Sequence, residues 1–230
     1  MPNLLITGAS RGLGREFVGQ YATEGWRVFA CCRDPKSATE LQKLAAASGG
    51  KVTVHALDVT DLASVRALAK ALSGESLDMV INNAGVSGTR GEALGKIDYA
   101  AWPGVFDANV MGPLRVAEAF APLLEKGGKK LLVSISSRMG SVAENSGGSY
   151  AYRASKAALN MVNSNLSIEL KDKGIACVVL HPGWVSTDMG GPSAPVKPPD
   201  SVAGMRTVIA GLGAKDSGSF RDFQGGAIPW

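Results

Sequence analysis

The chain has 230 residues, is 45% hydrophobic and 19% charged with a formal net charge of +4, and has a mean hydropathy of +0.08. That suits one domain with a sizeable core and excludes a disordered chain. The basic excess is scattered, with Lys126, Lys129 and Lys130 its one cluster and no aromatic residues interleaved, so nucleic acid is not an expected partner.

Met1-Pro2-Asn3 leads straight into the short apolar run Leu4-Leu5-Ile6, which is neither a signal h-region nor a membrane span, so the expected location is cytoplasmic. Apolar strand patterns at 3–7, 27–32, 51–56, 78–82, 129–136 and 176–181 alternate with helical periodicity near 12–23, 37–47, 61–72, 102–124 and 150–171. Asp61 suits an N-cap and Gly174 a helix end. A Pro/Gly-rich loop over about 188–200 follows, then a helix near 200–212 and a strand near 218–223. The alternation predicts a single α/β domain over 1–230, a Rossmann-type doubly wound parallel β-sheet with helices on both faces. Cys31, Cys32 and Cys177 form no CxxC pair and read as core residues of a reducing compartment. His55 and His181, the only histidines, lack metal-ligand spacing.

Thr7-Gly8-Ala9-Ser10-Arg11-Gly12-Leu13-Gly14 joins the first strand to the first helix. Glycines there let backbone N–H groups approach a pyrophosphate at a helix N-terminus, although a strand-to-helix turn also uses glycine for steric reasons. At the second strand's tip, Cys32 stands where an acidic residue would accept from a ribose 2′-hydroxyl. Arg33 and Arg11 are then placed to converge on a 2′-phosphate, while Asp34 stays open as a ribose acceptor. Asn82-Asn83-Ala84-Gly85 ends the fourth strand with small residues and amides able to tie neighbouring strands.

Tyr152 and Lys156 are four apart on a helix, which puts both side chains on one face. A nearby ammonium would favour the phenolate and bring the phenol toward a useful pKa. Ser137 follows the fifth strand, where its hydroxyl can stabilise a developing oxyanion. Ser136 is an alternative source of that hydroxyl, and Tyr150 is a neighbouring phenol, but only Tyr152 has a lysine four residues on. Pro182-Gly183-Trp184-Val185-Ser186-Thr187 follows the sixth strand as a turn.

These segments, in this order and over nearly the whole chain, resemble the short-chain dehydrogenase/reductase family, whose fingerprint TGxxxGxG is matched by the first turn. Ser134 to Gly140 and Tyr150 to Lys156 are most similar to small sniffer-type carbonyl reductases and C-factor-like proteins. The resemblance implies NADP(H) as cofactor, held by Gly8, Ser10, Arg11, Gly12, Leu13, Gly14 and Arg33. It adds Asp58 and Val59 at the adenine, Asn83, Ala84 and Gly85 beside the cofactor, and Pro182, Gly183, Val185 and Thr187 at the nicotinamide. Asp58 also suits a turn cap.

The same resemblance implies a catalytic set of Asn109, Ser137, Tyr152 and Lys156, with Lys156 also on the nicotinamide ribose and Asn109 supporting a water-linked proton path. It implies hydride transfer between nicotinamide and a carbonyl or hydroxyl carbon, and a homodimer or homotetramer built on the helices near 102–124 and 150–171. Loops 88–96 and 188–199 would shape an open site for small or medium quinones, diketones or aldehydes. The C-factor likeness keeps a second expectation, a signalling or regulatory protein that senses nicotinamide state.

Overall fold

The structure, a computed structural model, describes residues 1–89 and 91–230. Residue 90, inside the 88–96 loop singled out from sequence, lies outside the described residues. Seven parallel strands form one sheet in the order β3-β2-β1-β4-β5-β6-β7. They are β1 Asn3–Ile6, β2 Arg27–Cys32, β3 Val52–Ala56, β4 Met79–Asn82, β5 Leu131–Ile135, β6 Ala176–His181 and β7 Phe220–Asp222.

The helices are α1 Gly12–Thr23, α2 Thr39–Ala47, α3 Leu62–Ala71, α4 Trp102–Phe106, α5 Gly112–Glu125, α6 Tyr150–Glu169 and α7 Pro198–Gly211. Successive strand residues point to opposite sheet faces, and both faces are covered, which is why the strands read as apolar runs. Leu4, Ile6, Val28, Ala30, Met79 and Ile81 share one core with Phe17 of α1 and Val202 and Met205 of α7. Leu5, Phe29, Val80 and Leu132 face the other way, onto Val65 of α3, Phe120 of α5 and Leu166 of α6. Among the described residues no helix is long and apolar enough to cross a membrane.

Several element ends differ from those expected, each for a local reason. Lys130 takes a positive φ of 51°, so the fifth strand starts at Leu131 rather than 129. The helix expected over 102–124 is interrupted by a π stretch, Asp107–Met111. Pro113 has no N–H to give the carbonyl four residues back, that of Asn109, and so breaks the α-helical ladder there. The helix expected to reach 171 ends at Glu169 and passes through a 3-10 turn to Gly174 at φ 71°. Asp61 caps α3 as expected, its carboxylate accepting from Ala63 N–H at 2.9 Å.

The strand order reverses between β1 and β4, so the loops leaving their carboxyl ends diverge and open a crevice, the usual ligand position in such sheets. At the opposite edge the chain is packed without slack. A Cβ on Gly127, between α5 and β5, would lie 1.9 Å from Leu77 O. Gly127→Ala is expected to destabilise the fold by about 1–3 kcal/mol, a fall of several degrees in Tm by thermal unfolding.

Candidate active site

The turn between β1 and α1 is built by close backbone approach. A Cβ on Gly8, at φ 67°, would come within 2.8 Å of Ala84 Cα, and one on Gly14 within 2.2 Å of Gly8 O. Arg11 at the N-cap makes no side-chain cap bond, and the first turn of α1 carries no acidic residue. That helix end therefore leaves N–H groups and its positive dipole end available to an anion.

Asn83 locks this turn to the end of β4. Its Nδ2 donates to Thr7 O at 3.0 Å and Gly8 O at 3.1 Å, while Thr7 Oγ1 accepts from the N–H groups of Asn83 and Ala84, both at 3.1 Å. The result is a cleft of about 280 Å³. A second hollow of about 370 Å³ shares Ser10, Arg11, Cys32 and Arg33 with it, so the two form one groove of the size ligands occupy.

Most residues singled out from sequence line the cleft: Gly8, Ser10, Arg11, Gly12, Leu13, Gly14, Arg33, Asp58, Val59, Asn83, Ala84, Gly85, Tyr152, Lys156, Pro182 and Thr187. Gly183, Val185, Asn109 and Ser137 are not part of its wall. Gly183, at φ 84°, packs against the Phe223 ring, and Val185 bridges to Val196. These contacts fold the 183–197 segment back so that Thr187 Cγ2 faces Gly12 across the cleft.

Arg11, Arg33 and Asp34 all line the second hollow. The Arg11 guanidinium pairs with Asp188 at 3.2 Å, both side chains being largely exposed. Asp34 closes its own turn, accepting from Lys36 N–H at 3.0 Å, and hydrogen bonds from Ser37 and Lys36 hold its carboxyl below the usual range. Arg15, one helical turn after Arg11, also lines the hollow. Its signal, two arginines four apart on the first helix, was present in the sequence and passed over. The Cys32 thiol is pushed up by burial and then by the Asp34 charge, which keeps it neutral at the strand tip.

Asp58 Oδ1 accepts from Thr60 N–H at 2.9 Å and Thr60 Oγ1 at 2.7 Å. Burial acts to raise its pKa, but these bonds and the Arg33 charge outweigh it and the net direction is down. Arg115 donates to Val59 O at 3.2 Å and to Asp107 at 2.7 Å, which ties this segment to the π stretch.

The π stretch presents Asn109, fully buried. Its Oδ1 accepts from Val86 N–H at 2.8 Å, and its Nδ2 donates to Val86 O at 2.8 Å and Ser155 Oγ at 3.0 Å. Ser155 Oγ in turn donates to Tyr152 O at 2.8 Å.

On α6, Lys156 Nζ donates to Ile135 O at 2.9 Å and lies 5.8 Å from the centre of the Tyr152 ring. Burial lowers Lys156 from 10.5 to about 8. Burial also raises the Tyr152 phenol above its usual value, with Ser137 opposing. Desolvation is the larger influence, so the net direction is up.

Ser136 Oγ donates to Asn160 Oδ1 at 2.7 Å and contributes to the cleft wall. Ser137 Oγ accepts from Met139 N–H at 3.2 Å and interacts with the Tyr152 phenol. Asn160, one turn beyond Lys156, also donates to Gly140 O at 3.2 Å, and so pins the serine turn to α6. It escaped notice in the sequence because no motif marks it.

A parallel sheet opening at its switch point onto a glycine-walled cleft, with a tyrosine and a lysine one helical turn apart at its side, defines a Rossmann-type nucleotide-binding oxidoreductase. Residues 2–197 match the family model described as short chain dehydrogenase, and the chain belongs to that family. It is 50% identical over 167 residues to the C-signal protein of Myxococcus xanthus, covering 72% of this chain and all of that protein. Its structure superposes on the carbonyl reductase Sniffer of D. melanogaster with a TM-score of 0.94, 33% identity and full coverage of both chains. For the NADPH-bound carbonyl reductase from chicken fatty liver the TM-score is 0.91 with 38% identity, over 100% of this chain and 99% of that one.

The lowered pKa of Lys156 also bears on stability. A fall from 10.5 to about 8 means that holding the ammonium in place costs on the order of 3 kcal/mol. Because the folded pKa is depressed, the unfolded chain binds the extra proton, and the cost is full below pH 8 and fades as pH rises from 8 toward 10.5. Lys156→Met is expected to raise Tm at pH 7 and to flatten the pH dependence of unfolding across that window, as measured by thermal melts.

Proposed function

We propose that this protein is an NADPH-dependent carbonyl reductase in which Tyr152 delivers the proton. The observation that carries the proposal is the meeting of the half-buried Tyr152 phenol with the Ser137 hydroxyl and the Lys156 ammonium beside the glycine-walled cleft. NADPH, when bound, supplies the hydride to the carbonyl carbon. The glycine turn and the open N-terminus of α1 would hold its pyrophosphate, and Lys156 its nicotinamide ribose.

Tyr152 Oη would then hydrogen-bond the carbonyl oxygen and pass its proton to it as negative charge develops. Ser137 Oγ would steady the same oxygen as that charge develops. Asn109 and Ser155 hold the backbone of the first turn of α6 and so the attitude of the tyrosine.

Preference for NADP over NAD is supported by the neutral Cys32 at the strand tip and by Arg11, Arg15 and Arg33 around the adjoining hollow. The NADPH found in the chicken reductase supports the same choice. Val86 and Met189 give the cleft an exposed apolar rim, which suits small or medium carbonyl compounds such as quinones, diketones and aldehydes. A homo-oligomer is supported by Met111, Met161 and Ile168, apolar and exposed on the π stretch and α6.

A second reading, a signalling or regulatory protein using the nicotinamide site as a sensor, draws on the likeness to C-signal. NADPH and NADH oxidation over a panel of quinones, diketones, aldehydes and simple ketones separates the two. Turnover favouring NADPH supports the reductase, and cofactor binding with no turnover across the panel supports the sensor.

Tyr152→Phe is expected to lower turnover by about 10²–10⁴-fold with NADPH affinity nearly unchanged. Full turnover in that variant would move the proton donor elsewhere. Arg33→Ala is expected to weaken NADPH binding by about 1.5–3 kcal/mol while leaving NADH nearly unaffected, as read by fluorescence titration.

A further inference from the structure

The catalytic helix begins without the usual means of holding its first turn. Ser149, at the N-cap of α6, sits in the left-handed region at φ 47°, makes no side-chain cap bond, and is followed by no acidic residue in the first turn. Gly147 and Gly148 immediately before it both have positive φ, so the approaching chain supplies little stiffness. Tyr152 is the third residue of that helix.

Glu92, far away in sequence and matched by no motif, stands in for the missing cap. Its side chain is buried, only 4% exposed. Glu92 Oε2 accepts from Ala151 N–H at 2.9 Å, and the Glu92 backbone carbonyl accepts from Ser149 N–H at 3.3 Å. Among the described residues Glu92 Oε1 has no hydrogen-bond partner, so the bond to Ala151 is the one that engages the buried carboxylate. The same loop meets the helix again at Gly88, where a Cβ would lie 3.8 Å from the buried Ala151 Cβ.

At its other end the loop is clamped at Val86 by Asn109. A carboxylate here satisfies an N–H that the helix cannot satisfy itself and sits at the positive end of the helix dipole. The Arg153 side chain also binds the approach, donating to Gly147 O and Ser146 Oγ, but none of its bonds reaches a first-turn N–H.

We infer that Glu92 is a positioning residue for the reaction: its carboxylate orders the first turn of α6 from across the cleft loop and thereby fixes where the Tyr152 phenol sits. The inference rests on Tyr152 being the proton donor.

The test compares Glu92→Ala, Glu92→Gln and Tyr152→Phe, read by kcat, NADPH affinity and amide hydrogen exchange in the first turn of α6. Glu92→Ala is expected to speed exchange there and to lower kcat about tenfold or more while the NADPH Kd stays within about twofold. Glu92→Gln keeps an oxygen that can accept from Ala151 N–H and is expected to recover most of the protection and of kcat. Accelerated exchange with kcat within about twofold of the parent would make Glu92 merely structural, and unchanged exchange would remove the cap altogether; either overturns the inference. Full turnover by Tyr152→Phe would overturn the donor assignment instead, a failure told apart because the Glu92 variants are also scored on exchange.

Discussion

The cleft depends on one close approach, that of the chain leaving β1 to the chain leaving β4. Gly8 stands so near Ala84 that no side chain fits between them, and the Asn83 amide and Thr7 hydroxyl stitch the two segments with four hydrogen bonds. The sheet topology only brings the strand ends side by side; this stitching sets the width of the gap. Because the lock is made from one amide and one hydroxyl acting on backbone, it holds the glycine turn rigid without placing a side chain in the ligand's way.

Burial is the second organising influence, and it acts on Tyr152 and Lys156 in opposite senses. It raises the phenol and lowers the ammonium, so both groups move toward their neutral forms. A phenol that keeps its proton and an ammonium that more readily gives one up are thereby held one helical turn apart. The fold sustains the buried ammonium because Ile135 O accepts from it, and the rest of its cost falls on stability, a common trade at functional sites.

The framework was legible where periodicity and special residues agree. The strand and helix alternation, the glycine turn and the Asp61 cap all follow from local rules and reappear at their expected places. What escaped depends on long-range contact or on a single backbone fault. The Pro113 break that turns a regular helix into a π stretch at Asn109 is visible only once the helix is known to continue through it. Asn160 holding Ser136, Arg15 joining the basic hollow, and Asp188 pairing with Arg11 each require knowing which loop lies over which. The desolvation acting on Tyr152 escaped for the same reason, since neighbours along a helix are readable from spacing and depth below the surface is not.

The bonds between Asn109 and Val86 deserve comparison with a sheet. The carboxamide gives one hydrogen bond to Val86's carbonyl and takes one from its N–H, the same exchange that one strand offers its neighbour. A side chain thus imitates a one-residue strand beside the chain that follows β4. Since it recognises only main chain, the clamp is indifferent to which side chains the following loop carries. The loop can therefore drift in sequence, and with it the molecules admitted to the cleft, while its root stays fastened to the same spot.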